Sequence, residues 1–148
     1  MKARAQASLL VALAVATVPL ACGRGDADVD TTPALESATQ PVRVTLVELG
    51  RAIGPDKRVS AVTTEFAATE TIYASVVTEG TAPNATITAR WTFEDGQVVE
   101  ESSQTLSPTG TAVTEFHISK PDGWPTGRYR VEILLNGTST QTKDFVVK

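Results

Sequence analysis

An all-β domain of about seven antiparallel strands, packed as a two-sheet sandwich, is what the sequence predicts for residues 42–148. Three observations carry that expectation. Apolar and polar residues alternate along most of the stretch, the period-two pattern of half-buried strands. Turn signals such as Asp95-Gly96, Ser107-Pro108-Thr109-Gly110 and Asn136-Gly137 interrupt it at the spacing expected of short strands. No segment carries the apolar stripe of an amphipathic helix.

Taken in order, Val42, Val44 and Leu46 alternate with Arg43 and Thr45, and Gly54-Pro55-Asp56 then breaks the chain. The stretch from Arg51 to Ala68 has the weakest pattern, with Val59 to Phe66 as an additional candidate strand. Thr71 to Thr78 is rich in β-branched residues and ends at Gly80. The clearest alternation sets Ala85, Ile87, Ala89, Trp91 and Phe93 against Thr86, Thr88, Arg90 and Thr92. Asp95-Gly96 closes it as a hairpin, because glycine readily supplies positive φ, and Val98-Val99 begins the return. Val113, Thr114, Phe116 and Ile118 form a further strand, stopped by Pro121-Asp122-Gly123. Tyr129, Val131, Ile133 and Leu135 then alternate against Arg128, Arg130, Glu132 and Leu134. Asn136-Gly137 is a type I′ turn signal, and Phe145 and Val147 close the last strand.

The first 41 residues have a different composition. Lys2 and Arg4 precede an uncharged apolar run from Ala7 to Leu20, with a small residue, Ala21, at its end. That is the pattern of a secretory signal peptide over residues 1–21. A run of about 14 residues rises only ~21 Å as a helix, short of the roughly 30 Å hydrocarbon core of a bilayer. The chain's single cysteine, Cys22, follows directly in Val18-Pro19-Leu20-Ala21-Cys22. This segment resembles the lipobox of bacterial lipoproteins, which implies cleavage before Cys22 and acylation of its thiol, with palmitate-type chains as the anchor. Pro19 departs from the leucine usual at the third position before the cysteine. Gly23 stands where an aspartate would mark inner-membrane retention, so the resemblance implies a lipid-anchored envelope protein with an outer-membrane destination.

From Cys22 to Pro41 the chain holds four acids, two prolines and no aromatic residue, too little apolar surface to offset the entropy of ordering. It reads as an acidic, flexible tether of roughly 24 Å typical reach. The whole chain carries 13 basic and 17 acidic residues. Removing Lys2 and Arg4 with the signal peptide leaves a net charge near −6 (11 against 17). That balance argues against nucleic acid and gives no attraction to anionic lipid head groups. With one cysteine no internal disulfide can form, so the apolar core alone must hold the domain.

The segment Trp124-Pro125-Thr126-Gly127-Arg128-Tyr129-Arg130-Val131 resembles the corner before a late strand in immunoglobulin-like and fibronectin-type-III domains. The resemblance covers residues 42–148 and implies a single immunoglobulin-like antiparallel β-sandwich. It implies that Tyr129 bonds its hydroxyl back to the corner backbone, two places before core Val131, with Gly127 in the turn. Trp91, Phe93, Phe116 and Phe145 take core positions in this reading. Trp124 either plugs one end of the core or stands on a loop as a partner-binding anchor. The cysteine pair of antibody domains is absent.

Residues with catalytic or ligating chemistry have plainer readings. His117, the only histidine, lies opposite the core face in Phe116-His117-Ile118 and lacks the companions that a zinc site needs. Glu94-Asp95 and Glu100-Glu101 flank a hairpin tip, where carboxylates are ordinary turn and edge chemistry. No Gly-x-Ser-x-Gly or phosphate-binding loop appears. The sequence therefore predicts a non-catalytic module without cofactor or metal, anchored to a membrane through Cys22 and contacting another envelope protein. The alternative is a small-ligand or polysaccharide binder. Oligomeric state is left open.

Overall fold

A computed structural model describes residues 40–148. The expected signal peptide, Cys22 and nearly all of the tether lie outside the described residues. Eight strands follow one another: β1 (Arg43–Gly50), β2 (Glu65–Phe66), β3 (Ile72–Glu79), β4 (Ala85–Phe93), β5 (Gln97–Leu106), β6 (Ala112–Ile118), β7 (Gly127–Leu135) and β8 (Thr138–Val147). They form a three-stranded sheet in the order β1-β3-β6 and a five-stranded sheet in the order β2-β8-β7-β4-β5. Every pairing is antiparallel except that of β2 with β8, which is parallel at Glu65↔Val146 and Phe66↔Val147. Strands β1, β3 and β6 correspond to A, B and E of an immunoglobulin-like sandwich, and β4, β5, β7 and β8 to C, C′, F and G. The described residues contain no helix.

The hairpins form where the sequence supplies positive φ. Asn136 at φ 50 and Gly137 at φ 81 make the two-residue β7–β8 turn, and the Asn136 side-chain oxygen accepts a 2.8 Å bond from the Thr86 amide. Gly96 at φ 96 closes the β4–β5 turn with its amide 3.0 Å from the Phe93 carbonyl. The inward faces of both sheets meet around Trp91, which is fully buried and packs edge-on against Phe145 at 5.8 Å. Phe145 also meets Phe66 edge-on at 5.6 Å, so one aromatic cluster joins β2, β4 and β8.

Three places differ from the alternation in the sequence. Only Glu65–Phe66 of the Val59-to-Phe66 segment becomes a strand; Val59 and Val62 make single bridges, to Ile53 and Gly50. Leu134 falls among outward-facing residues by sequence yet is buried, beside the irregularity at Ile133/Leu134. Ser75 and Val77 are buried although they point away from the core. As the middle strand of a narrow sheet, β3 has both edges flanked. In register, Glu48 and Glu115 stand beside Ser75, and Leu46 and Val113 beside Val77.

The two sheets meet along two flanks. On the β1–β8 flank, the Gln141 side chain reaches the Val44 carbonyl at 3.5 Å. Arg51, just after β1, donates to the Glu65 carbonyl at 2.7 Å and to the Glu70 carboxylate at 2.9 Å, with its guanidinium over the Phe66 ring. The same Glu70 carboxylate accepts the Ala67 amide at 2.7 Å. That backbone bond, aided by Arg51 and opposed by slight burial, holds the Glu70 carboxyl below its usual pKa. On the β5–β6 flank, Gln104 donates to the Glu115 carbonyl at 2.6 Å.

Candidate interaction surface

The strands run between two poles. At one, the Gln40 carbonyl accepts the Thr81 amide at 2.9 Å, and Gly80 and Gly110 exchange backbone bonds. The chain therefore enters the sandwich beside the β3–β4, β5–β6 and β7–β8 turns. The opposite pole, about 30 Å away along a nine-residue strand, carries the β4–β5 turn, the β6–β7 loop and the last residue, Lys148.

The corner segment builds this far pole. The Tyr129 hydroxyl donates to the Pro125 carbonyl at 2.8 Å, four residues upstream, in the manner of a tyrosine corner. Burial, with a smaller contribution from Glu94, raises the pKa of that hydroxyl and keeps it a donor. The Tyr129 ring stacks on Phe145 at 5.3 Å and meets Phe93 at 4.8 Å. Gly127 sits at φ 155, where a Cβ would lie 2.6 Å from the Phe93 ring and 2.8 Å from the Glu94 carboxylate. A larger residue there would have to displace the Phe93 and Glu94 side chains. Val131 and Phe116 are buried in the core.

Trp124 stands between the end of the core and an open groove. It is half-buried, packs edge-on against Tyr129 at 6.2 Å and touches the core. Its amide donates to the Ala68 carbonyl at 2.7 Å, and its ring nitrogen is enclosed without a hydrogen-bond partner among the described residues. Its ring also walls an open cavity of about 520 Å³, with Phe93, Val98, Val99, Lys120 and Pro125 as further walls. That volume falls in the range of ordinary binding clefts, roughly 300–1,000 Å³. Val98 is 52% exposed at its mouth.

Strand β5 forms one side of this groove. A register shift opposite Trp91/Thr92 leaves Val99 as an extra residue, between Val98 paired with Thr92 and Glu100 paired with Trp91. This bulge explains why Val99 packs towards the core while its neighbours stay exposed. Glu100, on β5, and Glu94 and Asp95, in the preceding turn, are exposed and make no ion pair among the described residues. Glu101 is bound to Arg90 at 2.5 Å, and Arg90 also reaches Glu132 at 3.4 Å.

A second, polar cavity of about 710 Å³ lies on the outer face of the five-stranded sheet, with Thr64, Thr92, Glu94, Arg128, Arg130 and Asp144 in its walls. Arg130 and Asp144 pair across it at 2.7 Å, which stabilises the charged guanidinium. The sequence alternation puts Arg128 and Arg130 outside but gives no sign of the concavity, which arises only once β2 is laid beside β8. His117 lies on the other sheet, exposed, with its Nδ1 2.6 Å from Glu115 and its ring tilted against Tyr73. Among the described residues, no three His, Cys, Asp or Glu side chains stand close enough together to hold a metal. No helix among them is long and apolar enough to cross a membrane.

No family model matches the chain, and no curated protein matches it. Among solved structures, 88 chains match. One is an alkylpurine DNA glycosylase from Pseudomonas fluorescens bound to DNA containing an abasic site analogue, at 17% identity and a TM-score of 0.51. The match covers 72% of this chain and 30% of that one, so the chain spans under a third of that enzyme's length. An immunoglobulin-like protein from Pseudomonas aeruginosa matches at 17% identity and a TM-score of 0.49, over 75% of this chain and 99% of its own. The CARDB domain of a Pyrococcus furiosus protein, in complex with di-metal ions, matches at 15% identity and a TM-score of 0.45 over 75% and 90%. At 17% identity the likeness to the glycosylase is one of fold alone.

Proposed function

We propose that this chain is a non-catalytic, lipid-anchored module of the bacterial cell envelope, whose immunoglobulin-like domain binds another envelope protein through its far pole. One observation carries the reading: the apolar groove between Trp124 and Val99 lies at the pole opposite the one where the chain enters. A tether that enters at the opposite pole leaves the groove clear of the attachment point. An apolar cleft walled by an aromatic ring and bordered by polar residues has the anatomy of a protein contact. The corner bond of Tyr129 and the backbone bond of Trp124 give the cleft walls that are fixed before a partner arrives.

In-cell crosslinking of the full-length chain tests this, with Cys22→Ser and Val98→Lys variants beside it and mass spectrometry of the N-terminus. The expected result is an acylated Cys22 and one specific crosslinked protein, lost in both variants. Crosslinking indifferent to Val98→Lys removes the groove from the reading, and an unacylated wild-type N-terminus removes the anchor. The polar cavity at Arg128 and Arg130 favours the second reading, a small-ligand or polysaccharide binder. Calorimetry with cell-wall fragments, giving heat that Arg128→Ala abolishes, would favour it over the first.

A further inference from the structure

Strand β5 is the outermost strand of the five-stranded sheet, hydrogen-bonded to β4 alone. Alternate amides and carbonyls along its other side therefore face outwards, a row that an added strand can pair with. The second half of β5 is tied towards β6 by Gln104. In the first half, Gln97 to Glu101, the residues Gln97, Val98 and Val99 line the groove. Natural edges are often guarded by charged side chains, lysine above all, or by proline; β5 contains neither lysine nor proline, and its charges are Glu100 and Glu101. Its guard is the Val99 bulge, which turns one side chain inwards and leaves the apolar cleft beside the free edge.

The charge around this edge selects what can lie along it. Exposed Glu100 stands on β5 next to the residues that line the groove, and exposed Glu94 and Asp95 stand in the turn that leads into β5, all without an ion pair among the described residues, while Lys120 is the one charged residue in the groove wall. A second copy of the chain is a poor occupant. Antiparallel pairing of two β5 edges would crowd Glu100 and Glu101 of both copies into the middle of one seam, and like charges across strands are destabilising. An extended segment with Lys or Arg on alternate positions would meet Glu101 and the turn acids on the outer face of the sheet. Its other face would point bulky apolar side chains into the cleft, following the period of two along a strand.

We propose that the β5 edge receives an extended, basic segment of a partner protein as an added strand, with one apolar side chain seated between Val99 and Trp124. This rests on the interaction reading above and adds to it the mode and the chemistry of the partner.

The test uses the full-length chain in detergent micelles and three synthetic seven-residue peptides. All three share a Val-Phe-Val apolar face, and their alternate positions are filled by Lys, Glu or Thr. Hydrogen exchange read by mass spectrometry should show protection of Gln97 to Glu101 by the lysine peptide. That peptide should bind at least about tenfold more tightly than the glutamate peptide, and the preference should collapse near 1 M salt, where screening reaches ~3 Å. Val98→Lys, a change at an exposed site, should weaken lysine-peptide binding about tenfold or more. Leu46→Lys, on the other sheet, should leave it unchanged.

Equal binding of the three peptides, or protection confined to other strands, overturns the proposal. So does protection of β5 that rises with protein concentration without peptide, because the occupant would then be a second copy. If no peptide protects β5 while the crosslinked partner still depends on Val98, strand addition fails and the interaction module stands. If no specific partner is crosslinked at all, the module reading itself has failed.

Discussion

The two flanks of the sandwich are closed to different degrees. Along the β1–β8 flank the short parallel strand β2 covers the end of β8, Gln141 reaches across to β1, and Arg51 binds the Glu65 backbone and Glu70 together. Along the β5–β6 flank one side-chain bond, from Gln104 to Glu115, spans the sheets, and the first half of β5 stands apart beside a cleft. Both flanks rest on the same aromatic core. The difference teaches that sealing an edge takes specific non-local side chains. Where they are missing, the chain leaves backbone hydrogen-bonding groups in reach of another molecule.

Three perturbations sharpen the contrast. The largest effect belongs to the shared core: Trp91→Ala should lower stability by about 3–5 kcal/mol. Chemical denaturation should show one transition, and hydrogen exchange should quicken on both flanks together. A loss restricted to one flank would mean that the flanks do not share a core. Next comes the seal. Arg51→Ala removes two hydrogen bonds from a half-exposed side chain and should cost about 1 kcal/mol. The amides of Val146 and Lys148, which bond the Thr64 and Phe66 carbonyls, should exchange faster, while those of Glu100 and Glu101 stay unchanged.

The smallest effect depends on pH. The Glu70 carboxyl titrates below its usual value in the folded chain, so its contribution is present above the unfolded pKa. It is lost as pH falls through the lowered folded pKa. Denaturation midpoints should drop across that acidic window, and Glu70→Gln should flatten this part of the profile. An identical acid slope in the variant would remove Glu70 from the account of the sealed flank.

Much of this architecture is legible in the sequence because it is local. The alternation from Ala85 to Phe93 identifies β4, and Asn136-Gly137 identifies the β7–β8 turn two residues at a time. The Trp124-to-Val131 segment points to the corner that Tyr129 closes, because hydroxyl and acceptor are four residues apart. What escapes the sequence is non-local. β2 owes its two residues to β8, about eighty positions later, and no periodicity of its own marks it. Val99 looks like any strand valine until its pairing with β4 makes it the extra residue. Leu134 reads as an outward residue by alternation, and no face is legible for Ser75 among its β-branched neighbours, yet both are buried. The groove combines all of these effects. Trp124 stands out in the sequence as a choice between core plug and binding anchor, while the wall opposite it is supplied by a bulge.

The site where the chain enters the sandwich also has a mechanical consequence. Residue 40 leads directly into β1, whose first residue pairs with the last residue of β3, Glu79. Tension applied through the N-terminal side and resisted by a partner at the far pole would drag β1 lengthwise along β3. Antiparallel ladder bonds lie perpendicular to that pull. They would share the load in shear rather than opening one after another like a zip, so a domain held at these two ends would resist stretching better than its modest size suggests.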